Sequence, residues 1–263
     1  LYFEDITTGY VVYTENDDSA TGDFLYFANG KQIARYEMEF TTALESDVDD
    51  STGSASSTGT YLTDLEDIEL NLLGKTFQIV TARRGNSAGL GTILTLMGGA
   101  VRDTLLEGNT KTYTVDGKDY EVTLNFVDAD QSQFVVNGQT TRKLNDGDSD
   151  KLSDGTTMGV SEILYQDYAG GIHSATFFIG AQKVELRDTD IETTGSSNEL
   201  KVDDETIDGV DVFIEGTDDN STFRLDKIAL NVTADDDFYV PADGKLSEAM
   251  KDAGSEADAL FTR

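Results

Sequence analysis

Apolar and polar residues alternate along most of the chain, and turns containing Gly, Asn or Asp separate the alternating runs. The stretch 108–138 shows the pattern, because its apolar residues alternate with Thr, Lys, Glu and Asn and the run bends at Asp116-Gly117. A period of two places successive side chains on opposite faces, so each run predicts a β-strand with one dry face. The predicted dry face of this stretch is Tyr113, Val115, Tyr120, Val122, Leu124 and Phe126.

The same pattern predicts strands from one end of the chain to the other. Asn29-Gly30 and Asn137-Gly138 predict tight hairpins, because both residues of such a pair accept positive φ. Helix is predicted only near the end, where Ser247 could cap 248–253 and Ser255 could cap 256–260. The other predicted strands cover 9–14, 23–28, 31–42, 66–73, 75–82, 90–97, 139–144, 158–164, 175–179, 183–186, 210–215 and 222–233.

These elements predict a mainly β fold of antiparallel sheets packed as β-sandwiches, with a small acidic helical segment at the C-terminus. Shifts in composition at Gly98-Gly99 and at 191–199 suggest the boundaries between domains. The first predicted domain is 1–100, which includes a long acidic loop rich in Ser and Gly at 47–59. A central β-sandwich follows at 101–190, and 191–263 is a β segment with short helices that we expect to be truncated.

The charge of the chain restricts its partners. The 263 residues include 51 Asp and Glu against 19 Lys and Arg, a formal net charge of −32. Nucleic acid and anionic lipid both require a basic surface, so neither is an expected partner. The longest apolar runs are far shorter than the ~20 residues of a transmembrane helix, so we expect no membrane insertion. Association between copies would need salt or divalent cations to screen their repulsion.

The residue types also argue against an enzyme. The chain has no Cys and a single His, which excludes disulfides, thiolate sites and metal sites built on several imidazoles. The segment GNSAG at 85–89 matches the G-x-S-x-G pattern of a hydrolase, and Ser87 with His173 formally supplies two members of a triad. That pattern requires a helix after the serine, whereas 90–97 is predicted as a strand. We therefore expect no catalytic residues and no cofactor.

Acidic clusters are the candidate metal sites. Three carboxylates at alternate positions can converge on one Ca²⁺, and 146–150 has this spacing. The sequence departs from the helix-loop-helix calcium motif at Lys151, where glycine is expected, and at Thr157, where glutamate is expected. Solvated acidic turns are the alternative interpretation. The candidate ligands for Ca²⁺ or another divalent cation are Asp146, Asp148, Asp150, Asp235, Asp236 and Asp237.

Two further motifs concern the surface. Asn220 and Asn231 each begin an N-x-[ST] sequence, the acceptor for N-linked glycans on extracellular proteins. Arg83 and Arg84 form a basic pair on a very acidic chain, so they are a candidate contact with an acidic surface on a neighbouring copy. Two solvated side chains beside a turn are the alternative for this pair.

Several segments in a fixed order resemble the archaeal S-layer proteins of the methanococcal type. They include LTDLEDIELNLLGKTFQIV at 62–80, LTLMGGA at 94–100 and YTVDGKDYEV at 113–122. Shorter segments continue the resemblance at 106–108, 151–155, 178–184 and 235–241, so that it covers roughly 20–245. The resemblance implies immunoglobulin-like domains in tandem, an extracellular location, self-assembly into a paracrystalline coat, and frequent glycosylation and cation dependence. The acidity would also suit a halophilic source.

Two functional hypotheses follow from the sequence. The first is a structural surface-layer subunit whose partner is a second copy of itself and which coats an archaeal cell. The second is an extracellular adhesin or carbohydrate-binding β-sandwich. Tyrosines could offer faces for sugar stacking in that case, although the absence of Trp weighs against it. The candidate tyrosines are Tyr10, Tyr13, Tyr26, Tyr36, Tyr165 and Tyr168.

Overall fold

A computed structural model describes residues 4–5, 9–11, 24–85, 91–168, 170–189, 191 and 198–255. Within these residues the chain forms nineteen strands, a 3-10 turn at Thr63–Leu65 and one α-helix, α1, at Leu246–Ala253. The prediction of a mainly β fold with antiparallel sheets is confirmed. The predictions at 12–14, 23, 90 and 256–260 lie outside the described residues. The strands are β1 (Glu4–Asp5), β2 (Gly9–Val11), β3 (Phe24–Phe27), β4 (Gln32–Asp47), β5 (Glu69–Leu72), β6 (Lys75–Arg84), β7 (Thr92–Leu106), β8 (Thr110–Val115), β9 (Lys118–Val127), β10 (Ser132–Val136), β11 (Gln139–Thr140), β12 (Ser149–Lys151), β13 (Thr157–Tyr165), β14 (His173–Asp188), β15 (Glu199–Val202), β16 (Glu205–Thr206), β17 (Val210–Asp218), β18 (Thr222–Thr233) and β19 (Phe238–Pro241).

The chain divides into two compact units, each assembled from separate stretches of sequence. Unit 1 comprises Leu1–Asp64, Arg83–Ile93 and Glu185–Arg263, and unit 2 comprises Leu65–Ala82 and Leu94–Val184. The strands β6, β7 and β14 contribute residues to both units. The predicted division into three consecutive domains stays a prediction.

Unit 1 is built around β4 and β18, its two longest paired strands. A sheet runs in the order β1-β4-β18-β17, with β2 also paired to β4, and a separate pair joins β19 to β3. Ile228 on β18 lies opposite Met38 on β4 and Ile214 on β17, and all three are buried. Such cross-strand apolar rows are what fix the register of a sheet, because a slip of one residue would expose every member.

Unit 2 contains two sheets that share one apolar core. One has the order β11-β10-β9-β8, and the other runs β12-β13-β14-β7-β6-β5. The core takes Tyr120, Val122 and Phe134 from the first sheet and Val160 and Phe177 from the second. Two sheets that face each other across a common core form a sandwich.

Two of the predicted turns form the hairpins that the sequence indicates. Asp116-Gly117 joins β8 to β9 with φ of 50° and 79°, and Asn137-Gly138 joins β10 to β11 with φ of 48° and 82°. Both residues of each turn take positive φ, which matches the twist of the flanking strands.

The predicted hairpin at Asn29-Gly30 is wrong. Among the described strands β3 pairs with β19, whereas β4 pairs with β1, β2 and β18, so the two flanking strands belong to different sheets. Of the two turn residues, Gly30 alone takes positive φ. The Asn29 amide donates to Asp237 Oδ1 at 2.9 Å, and its side-chain amide donates to the Asp235 carbonyl at 3.0 Å. Tertiary hydrogen bonds therefore hold this turn instead of a hairpin ladder.

Two other local predictions need correction. Phe126 is half-buried and lies under the Lys143 ammonium, which is 3.9 Å from its ring centroid, whereas Val127 points into the core. The pairing with β10 passes from Gln133 opposite Phe126 to Phe134 opposite Leu124, so Asn125 is an extra residue on β9 and this bulge shifts the alternation of β9. The predicted strands 175–179 and 183–186 are parts of the single strand β14.

The helix near the C-terminus begins earlier than predicted. Lys245 is the N-cap residue of α1 and makes no side-chain capping hydrogen bond, while Ser247 is buried inside the first turn. Gly254 ends the helix with φ of 84°, and its amide donates to the Lys251 carbonyl at 3.0 Å. A glycine in the left-handed conformation is the usual C-terminal stop.

Candidate functional site

Arg84, one half of the predicted basic contact, is buried inside unit 1. Its side chain is 0 % exposed and forms an ion pair with the carboxylate of Asp218, which is 2 % exposed. Its Nε donates to the Gly59 carbonyl at 3.0 Å, and its Nη2 donates to the Ser57 carbonyl at 2.9 Å. Arg84 is therefore not a surface contact, because its guanidinium binds buried groups inside unit 1.

Arg83 has a different environment. It is half-buried, and its guanidinium carbon lies 4.1 Å from the centroid of the Tyr61 ring. A guanidinium over an aromatic face is a cation–π arrangement, which holds the side chain flat against the protein. Arg83 stays a predicted contact between copies.

The carboxylates at 146–150 act as acceptors within their own loop. Asp148 Oδ2 accepts from the Asn145 amide at 3.0 Å and from Arg142 Nη1 at 3.4 Å. Asp150 Oδ2 accepts from the Arg142 amide at 2.8 Å. Asp148 and Asp150 therefore organise the segment before β12, and the structure shows no shared ligand position for them and Asp146 among the described atoms.

The second acidic cluster organises the connection between β18 and β19. Asp237 Oδ1 accepts from the Tyr26 hydroxyl at 2.9 Å, and Asp236 Oδ1 accepts from the Asp237 amide at 2.7 Å. The Asp235 side chain is exposed. In the part of the chain that the structure describes, no group of three acidic or His side chains is arranged to hold a metal ion. Cation binding at both clusters stays a prediction.

The two sequons lie in very different places. Asn220 is exposed in the turn between β17 and β18, where its φ is 75°. Asn231 lies within β18, is half-buried, and accepts a hydrogen bond from Arg35 Nη1 on its Oδ1 at 2.7 Å. Glycan transfer requires an accessible side-chain amide, usually on a surface loop. Asn220 meets this condition better than Asn231.

His173 joins three strands at one end of unit 2. Its Nδ1 is 2.9 Å from Glu107 Oε2, and its ring stacks on Tyr165 with centroids 4.4 Å apart. The Glu107 amide also donates to the His173 carbonyl at 2.9 Å. Ser87, the serine of the hydrolase pattern, lies outside the described residues. The observed contacts give His173 a packing role between β13, β14 and the end of β7.

Sequence reasoning missed a Lys-x-Tyr arrangement on β8. Lys111 and Tyr113 both hydrogen-bond to Asp103 Oδ2 on β7, and the Tyr113 hydroxyl lies 2.9 Å from that oxygen. The Lys111 ammonium lowers the pKa of the Asp103 carboxyl. Burial and the hydrogen bond to Asp103 raise the pKa of the Tyr113 phenol well above its usual value. The Tyr113 ring is thus buried while its hydroxyl keeps a hydrogen-bond partner in Asp103.

The same arrangement recurs on β9. Lys118 and Tyr120 both hydrogen-bond to Asp154 Oδ2, and Tyr120 also lies 2.7 Å from Thr156 Oγ1. The Lys118 ammonium, aided by the Thr156 amide, lowers the pKa of the Asp154 carboxyl well below its usual range. The repeated Lys-x-Tyr motif is visible in the sequence, but its aspartates lie elsewhere in the chain. The first arrangement links β8 to Asp103 and the second links β9 to Asp154, so we assign both a structural role.

Sequence reasoning also missed an exposed apolar patch on unit 2. We define the apolar patch as four side chains that are between 41 and 65 % exposed: Leu106, Leu164, Tyr168 and Ile172. They lie at the end of β7, at the end of β13 and in the connection from β13 to β14.

Strand alternation places two members of the patch, Leu106 and Leu164, on the outer face of their sheet. Leu105 is buried in the core of unit 2 and Tyr165 packs against that core, so Leu106 and Leu164 point to the opposite face. The strands β7 and β13 both pair with β14, on which Ser174 lies opposite Leu164. Ser174 is buried although it shares the outer face with Leu164. Exposed large apolar side chains that lie near one another on a soluble protein are candidates for a site of interaction.

A pair of tyrosines forms a second exposed feature, on unit 1. Tyr26 on β3 stacks on Tyr239 on β19, with ring centroids 4.8 Å apart, and Tyr239 is exposed. The hydrogen bond to Asp237, with minor contributions from burial and from Tyr239, raises the pKa of Tyr26 to about 12. An exposed aromatic face beside polar groups is a surface on which a sugar ring can stack.

Known proteins give no further guide to these features. Searches against protein-family models, curated proteins and solved structures find no match to this chain. Within the described residues, no helix is long and apolar enough to cross a membrane. The candidate sites therefore depend on the residues and their geometry.

Proposed function

We propose that this protein is a structural subunit of an extracellular surface layer, and that copies of it associate laterally into a paracrystalline sheet on an archaeal cell. The observation that carries the proposal is the apolar patch on a chain with a net charge of −32. Copies with the same strong charge repel each other, so the surface through which they associate must be low in charge. The resemblance to archaeal S-layer proteins supports the same conclusion, and the role is not catalytic.

The size of the patch indicates how such an assembly would be held. Full burial of a large apolar side chain contributes roughly 1.5–3 kcal/mol. Four half-exposed side chains would therefore contribute about 4 kcal/mol, which is at the lower limit of the ~4–15 kcal/mol that association costs. One contact is weak, and a lattice is stable because each copy makes several contacts at once.

Salt weakens the electrostatic repulsion between copies of the protein. The Debye length falls from ~10 Å at 0.1 M to ~3 Å at 1 M salt, so high salt removes most of the repulsion between exposed carboxylates. Divalent cations at the acidic turns, including Asp148 and Asp236, would act in the same direction by bridging copies. The resemblance to archaeal S-layer proteins also implies glycosylation and immunoglobulin-like domains. We therefore propose N-glycosylation at the exposed Asn220 and an immunoglobulin-like arrangement for the sandwich domains.

Charged substitutions in the patch test the proposal. We expect purified protein to form ordered sheets or tubes in high salt or with Ca²⁺, as seen by electron microscopy and sedimentation. The variant Leu164→Asp/Ile172→Asp should remain dispersed, because it places two carboxylates in the contact. Thr112→Asp is the matched control, since it adds a carboxylate at an exposed position of β8. Normal assembly of the double variant would contradict the role of the patch.

The exposed tyrosine pair favours carbohydrate binding as a second candidate function. Tyr239 offers an exposed ring stacked on Tyr26, with the Asp237 carboxylate beside it. A glycan screen of dispersed protein tests this function, and Tyr239→Ala should abolish any binding that depends on the ring. Glycan binding that survives Tyr239→Ala would place the sugar elsewhere.

A further inference from the structure

A pocket of about 240 Å³ lies in unit 1, where β6 ends at Arg84, β7 begins at Thr92 and β14 ends at Asp188. Drug-sized ligands occupy pockets of roughly 300–1,000 Å³, so this one suits a small molecule or a single side chain. Gly91 forms part of the wall with φ of 66°, and a Cβ there would lie 2.6 Å from the Asp188 carbonyl oxygen. Only glycine allows this close approach of backbone at the wall.

Three polar groups at this pocket are buried and have no hydrogen-bond partner in the described part of the chain. They are Thr92 Oγ1, Arg187 Nε and Asn198 Nδ2. Thr92 and Arg187 line the pocket, and Asn198 is tied to its wall because Asn198 Oδ1 accepts from the Thr189 amide at 3.0 Å. A buried donor without a partner destabilises the folded protein, so two such groups on residues of the wall and a third on the residue bonded to that wall indicate a missing acceptor.

The remaining charged groups at the pocket are already engaged. The Arg84 guanidinium is balanced by Asp218 and donates to two carbonyls. Asp188 is buried, and its Oδ2 accepts from a backbone amide at 2.7 Å. Arg187 Nη2 donates to Glu185 Oε1 at 3.3 Å, a contact that does not use its Nε. The groups that could hydrogen-bond to a ligand are therefore Thr92 Oγ1, Arg187 Nε and Asn198 Nδ2.

The chemistry of these groups selects the ligand. Arg187 Nε and Asn198 Nδ2 can only donate hydrogen bonds, and the Thr92 hydroxyl can donate as well. A ligand with several acceptor lone pairs satisfies them, whereas a cation does not. A carboxylate hydrogen-bonds strongly to a guanidinium, and its single negative charge is tolerated better than that of a dianion beside the buried Asp188. We propose that this pocket binds a small carboxylate.

Two sources can supply such a group. One is a free organic acid of a few carbon atoms, and the other is an Asp or Glu side chain from a second copy of this chain, which carries 51 of them. Both present the same oxygen atoms on a short apolar stem, and Ile93 on the pocket wall accommodates that stem. The site does not depend on the surface-layer proposal, because a free acid would occupy it in dispersed protein.

Calorimetric titration of dilute protein with propionate tests the pocket, with ethylammonium as a cation of similar size. Propionate should bind and ethylammonium should not. Thr92→Val removes one donor at nearly constant volume and should weaken propionate binding about tenfold. The same variant should leave the melting temperature without ligand unchanged or higher, because it removes an orphaned hydroxyl. Arg187→Gln should weaken binding further, and the exposed Thr112→Val and Arg224→Gln are matched controls.

A competition experiment separates the two sources. The competition is interpreted only where the titration shows that propionate binds. If saturating propionate then dissolves assemblies of concentrated protein, the occupant is an acidic side chain of a second copy; if assemblies persist, the occupant is a free acid. A protein that fails to assemble refutes the lattice and leaves the titration decisive for the pocket. The proposal is overturned if propionate does not bind, or if Thr92→Val and Arg187→Gln bind it as tightly as the wild type does.

Discussion

Replacing Arg84 with methionine removes a buried charge whose partner, the Asp218 carboxylate, is also buried. The Arg84 and Asp218 side chains are 0 and 2 % exposed, and Arg84 also donates to the carbonyls of Gly59 and Ser57. Methionine keeps most of the apolar stem, so the substitution isolates the guanidinium from the packing of the side chain. Among the described residues, the buried carboxylate of Asp218 would then keep one hydrogen-bond donor, the Asn220 amide at 3.1 Å.

The expected loss of stability follows from this burial. Removing one partner of a buried ion pair costs roughly 3–5 kcal/mol, because the other charge is left uncompensated. Exposed pairs contribute only ~0.2–1 kcal/mol, since water and salt screen them. We therefore expect Arg84→Met to lower the free energy of unfolding by about 3–5 kcal/mol. Arg84→Met/Asp218→Asn should recover part of this loss, because it also removes the unpaired charge.

Urea-induced unfolding measures the effect. The matched control is Arg224→Met, because Arg224 lies 2.9 Å from Asp226 on the surface, with exposures of 52 and 40 %. We expect the control to lose less than about 1 kcal/mol and its loss to shrink in high salt. Equal losses for Arg84→Met and Arg224→Met would refute the conclusion that burial decides the strength of this pair.

Three further predictions concern pH, backbone packing and glycosylation. The pKa of Asp154 is lowered by its lysine partner, so its stabilisation is complete above the unfolded carboxyl pKa of about 4 and is lost as pH falls through the lower folded pKa. The difference in urea midpoint between wild type and Asp154→Asn should therefore begin to shrink below about pH 4 and continue to shrink as the pH falls further; a constant difference would contradict this. Gly216→Ala should destabilise by about 1–3 kcal/mol or more, because its Cβ would lie 2.0 Å from the Arg224 carbonyl oxygen, and an unchanged urea midpoint would show that the strand can shift. Mass spectrometry of protein from its native source should find a glycan on Asn220 and none on Asn231; the reverse pattern would refute the accessibility argument.

The strands and two hairpins could be predicted because their causes are local. Alternation fixes which residues share a face, and Asp116-Gly117 and Asn137-Gly138 each join two strands of one sheet with positive φ at both residues. Asn29 does not form such a hairpin, because its backbone amide donates to the Asp237 carboxylate and its side-chain amide donates to the Asp235 carbonyl. Those partners are more than 200 residues away, and no local pattern indicates them.

The candidate sites were less predictable for the same reason. The sequence shows Arg84 beside Arg83, but its burial depends on Asp218, which is 134 residues further along the chain. The alternation of Leu164 with Tyr165 predicts a two-faced strand, yet which face is covered depends on the second sheet of unit 2. The pocket needs the ends of three strands, so its orphaned donors become visible only after folding.

Electron microscopy of the purified protein across salt and Ca²⁺ concentrations is the decisive test of whether copies of the protein assemble into a surface layer. We expect dispersed particles in low salt and ordered sheets or tubes once salt or Ca²⁺ screens the charge of −32. The Leu164→Asp/Ile172→Asp protein should stay dispersed under the conditions in which Thr112→Asp assembles. Dispersed wild-type particles under every condition would contradict a surface-layer function.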